Sequence, residues 1–127
     1  MVGIVIVSHS EKLAEGVREL ASQMASPDLP IIAAGGIDGG IGTDAFKIQA
    51  GIEEADRGDG VLILADLGSA IMSAETAIDL LEREIRVVIA DTPVVEGAVS
   101  AAVTASTGAG LDEVLEAAME ARDMHKL

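Results

Sequence analysis

Four short apolar runs mark the chain. Each is followed by a small or polar turn and then by apolar residues at helical spacing. The first run, Gly3-Ile4-Val5-Ile6-Val7, leads directly into Ser8-His9-Ser10. Continuous β-branched runs of this length predict strands buried on both faces, as in a parallel sheet. Leu13, Val17, Leu20, Ala21 and Met24 then predict a helix from about Glu11, with these residues on its buried face. Ser10 is placed to cap it, and Glu11 lies near its positive end. Pro27 and Pro30 bracket the connection to a second strand, Ile31-Ile32-Ala33-Ala34. A helix over Ala45 to Ala55 follows, capped by Thr43 or Asp44, with Phe46, Ile48, Ile52 and Ala55 in its apolar face. After the turn Arg57-Gly58-Asp59-Gly60, Val61 to Ala65 is the third strand, running into Asp66-Leu67-Gly68-Ser69-Ala70. Ile71, Ala74, Ala77, Ile78 and Leu81 predict a helix from about Ala70 to Arg83. Ile85 to Ala90 is the fourth strand and ends at Asp91-Thr92-Pro93. An Ala/Val-rich helix from Val94 to Ser106 and a last helix from Leu111 to Arg122 complete the pattern, with Met124 to Leu127 as a frayed end.

Alternating strands and helices predict an α/β fold: a doubly wound, four-stranded, mainly parallel sheet with helices on both faces. The expected strand order is 2-1-3-4, in one domain spanning residues 1–127, with its switch point between strands one and three. The ends of those two strands are then neighbours. His9 and Asp66, far apart in sequence, face each other across the crevice where such sheets bind their ligands.

The loop after strand two forms the other wall. Gly35-Gly36-Ile37-Asp38-Gly39-Gly40-Ile41-Gly42-Thr43-Asp44 holds five glycines in ten residues. It lacks the Gly-Lys-Ser/Thr ending of a nucleotide-binding P-loop and the spacing of a dinucleotide fingerprint. Glycines in such number serve turns at positive φ, and they also let backbone N–H groups approach a ligand or partner.

Composition narrows the classes. The 127 residues carry 22 acidic against 8 basic side chains, a net charge of −14, and the only aromatic residue is Phe46. Nucleic-acid binding is excluded on charge and on the lack of stacking residues. With no cysteine there is no disulfide or thiolate chemistry. No apolar run approaches the length of a membrane helix, and the N-terminus lacks the pattern of a signal peptide, so a cytoplasmic protein is expected.

What remains is imidazole and carboxylate chemistry. A neutral imidazole is nucleophilic through one nitrogen when a carboxylate holds the proton on the other. His9 with Asp66 supplies that pair without a metal or cofactor. Phosphoryl transfer needs mainly positioning and electrostatics. The helix starts after His9 and at Ser69, the backbone of Gly39, Gly40 and Gly68, and the hydroxyls of Ser10, Thr43 and Ser69 are the candidate phosphate or partner contacts. Structural readings compete: His9 as a core histidine, Asp66 as a helix cap. Asp91 ends a strand one step further away, and His125 lies on the tail. A receiver-like or ligand-binding domain acting through Asp66 or Asp91 is the reading from another class. Ser8-His9-Ser10 and the lack of a lysine after strand four do not fit it.

Three segments carry a resemblance: the strand ending Ser8-His9-Ser10, the loop Gly35 to Thr43, and Asp66-Leu67-Gly68-Ser69-Ala70. Together they resemble the DhaM family, the phosphotransferase subunits of phosphoenolpyruvate-dependent dihydroxyacetone kinases, which share the mannose-type EIIA fold. The Gly-Gly-x-Asp-Gly-Gly-x-Gly-Thr loop is the specific part. The resemblance implies that His9 accepts a phosphoryl group on Nε2 from the phosphohistidine of HPr while Asp66 holds the Nδ1 proton. It implies onward transfer to ADP in DhaL, which works with DhaK, and a homodimeric carrier. Some family members continue into HPr-like and enzyme I-like domains, so separate donors are expected for this chain. Mannose-type relatives exchange a strand after the fourth helix. Here that region reads as a helix, and a strand-exchanged dimer is not expected. An EIIA carrier of a mannose-type sugar transporter is the alternative with the same chemistry.

Overall fold

The order of elements follows the pattern of apolar runs. A computed structural model describes residues 1–127, with strands β1 (Gly3–Ser8), β2 (Ile31–Gly35), β3 (Val61–Ala65) and β4 (Val87–Ala90). Helices α1 (Glu11–Gln23), α2 (Ala45–Ala55), α3 (Gly68–Asp79), α4 (Val94–Ala105) and α5 (Leu111–Glu120) alternate with them, and a 3-10 turn covers Ala121–Asp123. The sheet is parallel throughout, in the order β2-β1-β3-β4. Both central strands are wholly buried, which explains their unbroken apolar sequence.

Alternate residues of each central strand feed two separate cores. Ile4, Ile6, Leu62 and Leu64 pack under α1, α4 and α5, while Val5, Val7, Val61, Ile63 and Ala65 pack under α2 and α3. The buried helix faces are built mainly of alanine: Ala14 and Ala21 on α1, Ala70, Ala74 and Ala77 on α3, and Ala98, Ala101, Ala102 and Ala105 on α4. Small residues let the helices lie close against the sheet, with apolar area supplied by the branched side chains of the strands.

The structure corrects the assignment of two helix faces. On α1 the buried residues are Ala14, Val17 and Ala21, whereas Leu13, Leu20 and Met24 point to solvent. On α2, Ile48, Ile52 and Ala55 are buried but Phe46 is 70% exposed. Three boundaries also shift. α3 starts two residues earlier than expected and stops at Asp79; beyond it Arg83 reaches across to the Glu53 carbonyl (3.0 Å) and Asp56 (3.4 Å). β4 begins at Val87, after Arg86 has accepted a hydrogen bond from the Val61 N–H. The end of α5 tightens into the 3-10 turn. The tail is not free of the fold, since Lys126 Nζ pairs with Glu96 at 2.6 Å.

Candidate functional site

β1 and β3 pair directly, with Val7 opposite Ala65, so the residues just past them emerge side by side at the carboxyl edge. The Asp66 N–H continues the ladder to the Val7 carbonyl (3.1 Å). Asp66 and the first residues after β1 are thereby fixed relative to one another by the sheet itself.

The Asp66 carboxylate accepts four hydrogen bonds. Oδ2 takes the Ser8 hydroxyl (2.9 Å) and the His9 N–H (3.0 Å). Oδ1 takes the Leu67 N–H (2.8 Å) and faces His9 Nδ1 at 3.0 Å. A carboxylate only accepts, so Nδ1 carries the proton and donates. Burial works to raise the Asp66 carboxyl. The bonds from the His9 backbone, the His9 ring, Ser8 and Leu67 outweigh it and hold the group below the ordinary 3.8. The carboxylate stays charged and aligned at any physiological pH. Asp66 does not cap α3 by side chain; the cap position is Leu67.

With its proton on Nδ1, the neutral His9 ring presents a lone pair at Nε2. Ser69 Oγ lies 2.6 Å from that nitrogen and is its donor. The ring is therefore held at both nitrogens, by a carboxylate from the end of β3 and by a hydroxyl from the first turn of α3. As the first two residues of α3, Gly68 and Ser69 have N–H groups with no carbonyl one turn back within the helix. A tetrahedral anion delivered to Nε2 would meet the Ser69 hydroxyl and the positive end of a helix.

The glycine loop is pinned to the same histidine. The Gly42 N–H donates to the His9 carbonyl (2.8 Å), and the Gly36 N–H to the Ser8 carbonyl (3.2 Å). Between them Ile37 and Gly40 exchange both backbone hydrogen bonds around Asp38-Gly39. Asp38 and Gly39 both have positive φ (48° and 80°), the requirement of a two-residue hairpin turn of the Asp-Gly type. Thr43 Oγ1 and Ser73 Oγ, 2.6 Å apart, fasten the end of the loop to α3. Lys47 Nζ donates to the Gly35 carbonyl (2.6 Å), so the loop is tied at both ends.

The expected contact residues separate into two groups. His9, Asp66 and Ser69 come together, with Gly68 beside them. Ser10 caps α1, accepting from the Leu13 N–H (3.2 Å), and lines a groove of about 540 Å³ with Glu11, Lys12, Glu15, Gly39, Gly40 and Ile41. That groove adjoins the histidine without including it, so Gly39 and Gly40 sit at a rim and not around Nε2. Thr43 is engaged with Ser73, and the cap of α2 is Asp44, whose carboxylate takes the Phe46 N–H. Asp91 lies apart, exposed and paired with Arg122. Ser8 was missing from the sequence-derived site, yet it is wholly buried, donates to Asp66 and accepts the Ser10 N–H (3.0 Å). Its signal was a polar residue closing an otherwise apolar buried strand.

Comparison with known proteins places the chain in a family. Residues 3–115 match the family model EIIA-man, described as the PTS system fructose IIA component. The chain is 50% identical over 127 residues to the "PEP-dependent dihydroxyacetone kinase, phosphoryl donor subunit DhaM" of Escherichia coli, covering 95% of this chain and 27% of that protein. To the DhaM of Klebsiella michiganensis it is 46% identical over 133 residues, covering 100% of this chain and 28% of the relative. The chain thus spans little more than a quarter of the length of these two relatives. It spans nearly all of a shorter one, the DhaM of the second dihydroxyacetone kinase of Listeria innocua, at 40% identity over 119 residues with 91% and 95% covered. Among solved structures, the protein of unknown function EF1359 superposes with a TM-score of 0.85 at 36% identity, covering 100% and 99% of the two chains. An EIIA component from Streptococcus agalactiae shares the fold alone, with a TM-score of 0.66 at 15% identity over 96% and 92% of the chains. By family model and by full-length relative alike, the chain belongs to the EIIA-man family and, within it, to the DhaM phosphoryl donor subunits.

Proposed function

We propose that this chain is a phosphohistidine carrier. His9 Nε2 takes a phosphoryl group from the phosphohistidine of HPr and passes it to ADP held by DhaL, which works with DhaK on dihydroxyacetone. One observation carries the reading: His9 is fixed at Nδ1 by Asp66 and contacted at Nε2 by Ser69 alone. In the loading step the donor's N–P bond breaks and a P–Nε2 bond forms, and the donor imidazole recovers its lone pair. Nδ1 keeps its proton, and the cationic character that develops on the His9 ring is balanced by Asp66. The Ser69 hydroxyl turns from Nε2 to a phosphoryl oxygen. In unloading, the P–Nε2 bond breaks as a β-phosphate oxygen of ADP forms the new P–O bond, the His9 ring recovers its lone pair and Nδ1 keeps its proton throughout.

The test combines labelled phosphoenolpyruvate, enzyme I and HPr with the protein and with His9→Ala. Label on the wild type only, draining to ADP when DhaL–ADP is added, is the expected result. Label that stays until a sugar-system IIB protein is supplied would assign the chain to a mannose-type transporter. An alkali-labile acyl phosphate, or no label with active donors, would overturn the His9 mechanism.

Residues 1–127 act in this reading as one carrier domain, working in the cytoplasm beside its partners. No helix is long and apolar enough to cross a membrane. The carrier is a homodimer, and the outward stripe Leu13, Leu20 and Met24 on α1 supports a contact between copies there. In an antiparallel two-fold pairing centred between Gly16 and Val17, Leu13 of one copy meets Leu20 of the other. The apolar positions are matched to themselves, as an isologous contact requires. Leu20→Asp is expected to leave the fold intact and shift the sedimentation coefficient to that of a monomer; an unchanged dimer would place the contact elsewhere.

A further inference from the structure

The four most exposed large apolar side chains of the chain, apart from the terminal Leu127, are Ile41 (79%), Phe46 (70%), Met72 (69%) and Leu67 (63%). They come from three separate segments, and all four lie at the carboxyl edge of the sheet around His9. Ile41 precedes Gly42, whose N–H is bonded to the His9 carbonyl. Leu67 directly follows Asp66. Met72 is three residues after Ser69 on α3 and so shares its helix face. Phe46, in the first turn of α2, lies three residues after Thr43, which is bonded to Ser73 beside Met72.

An exposed apolar side chain is ordinary when it stands alone. Four that cluster around one histidine, the sole aromatic among them, form a patch of the kind that marks interaction sites. Phe46 and Met72 are residue types enriched at interface centres. The border of the patch is acidic, with Glu11, Glu15 and Asp38 exposed along the neighbouring groove and turn.

We propose that Ile41, Phe46, Leu67 and Met72 form the docking surface for the phosphoryl donor, with Phe46 as its anchor. The inference rests on the carrier reading above. The occupant is a folded protein presenting a small apolar face bordered by basic side chains, with its phosphohistidine at the centre. A donor of that kind gathers basic groups around its own phosphoryl group, which complements the acidic border. A nucleotide-holding acceptor instead brings polyphosphate charge towards those carboxylates, so the donor is the better match. The apolar patch supplies contact energy without fixing the reacting groups, whose alignment comes from Asp66 and Ser69.

The experiment compares Phe46→Ala, Met72→Ala and the double variant with the wild type, and includes Val103→Ala, an exposed apolar site on α4, as a control. Binding of unphosphorylated HPr is measured by titration calorimetry, loading from phospho-HPr by initial rates, and loading from the small donor phosphoramidate in parallel. The double variant is expected to bind HPr at least tenfold more weakly and to raise KM for phospho-HPr by a similar factor. Its kcat, its loading by phosphoramidate and the Val103→Ala rates should match the wild type. Unchanged HPr binding and KM would overturn the proposal. So would a parallel fall in phosphoramidate loading, which would make the residues structural, or a defect confined to unloading, which would give the patch to the acceptor. If the wild type is never phosphorylated, the carrier reading fails, while the calorimetric comparison still decides whether the patch binds the donor.

Discussion

At the scale of single residues, the arrangement turns on one carboxylate with four donors. Asp66→Asn keeps the shape but replaces an acceptor oxygen with an N–H2 group. Its amide must then face either the Ser8 hydroxyl and His9 N–H or the His9 ring and Leu67 N–H, all of which are donors. Transfer from phospho-HPr is expected to fall by about 10²–10⁴-fold, the range for loss of an orienting acid–base partner. Labelling kinetics check this. The same carboxylate links stability to pH. Its folded pKa lies below its unfolded value, so its contribution is present above 3.8 and is lost as the pH falls through the depressed folded value. Wild type should therefore lose stability on acidification below about pH 4 more steeply than Asp66→Asn, as followed by denaturant midpoints. Ser8→Ala removes one donor to Asp66 and orphans the Ser10 N–H, and should cost about 1–3 kcal/mol in the same measurement.

At the scale of elements, the strands and their order were legible because a buried parallel strand is apolar at every position. The helix faces were less so. Leu13 and Ala14 are adjacent in sequence, about 100° apart around α1, and a pattern read by residue size selects the leucine for the core. The structure selects the alanine, because a helix lying close on β-branched strands has room for little more. Phe46 was misplaced for the same reason, and its exposure is what draws attention to the rim. The His9–Asp66 pair followed from topology alone, since strand ends at a switch point are neighbours whatever their separation in sequence. The Ser69 contact and the hairpin within the loop depend on side-chain rotamers and turn geometry, which spacing does not encode. Gly42 shows the loop's dependence on glycine: its φ is +144°, and an added Cβ would lie 2.9 Å from Ile37 Cδ1. Gly42→Ala is expected to shift the segment that is bonded to the His9 carbonyl. Transfer should slow several-fold or more, with little change in thermal midpoint because the loop lies outside both cores. A wild-type rate would mean that the loop does not help to place the histidine.

At the scale of the molecule, the charge of −14 is unevenly offset. Arg83 and Arg86 are engaged away from the histidine, Arg86 with Asp112 at the opposite edge of the sheet and Arg83 with Asp56. The N-terminal ammonium pairs with Asp59 before β3. At the carboxyl edge of the sheet, Arg122 is tied to Asp91 and Lys126 to Glu96, and Lys47 is tied to the Gly35 carbonyl. Along the groove beside the site, Lys12 alone faces Glu11 and Glu15, with Asp38 in the adjoining turn. The field at this edge is therefore negative, and it reaches beyond contact distance when the Debye length is long. A basic donor approaching the edge would be accelerated by that field, whereas the alignment of the ring, set by the short contact of Nδ1 with Asp66, would feel salt only weakly. Replacing Glu11, Glu15 and Asp38 together by Gln, Gln and Asn preserves shape and the Asp38 turn, since Asn tolerates positive φ. At low ionic strength the association rate with phospho-HPr should fall about tenfold, and the difference should close near 1 M salt. Glu113→Gln on α5, beside the Arg86–Asp112 pair, should change neither rate. Equal rates for the triple variant and the wild type at low salt would remove steering from the account and leave the apolar rim as the whole basis of donor recognition.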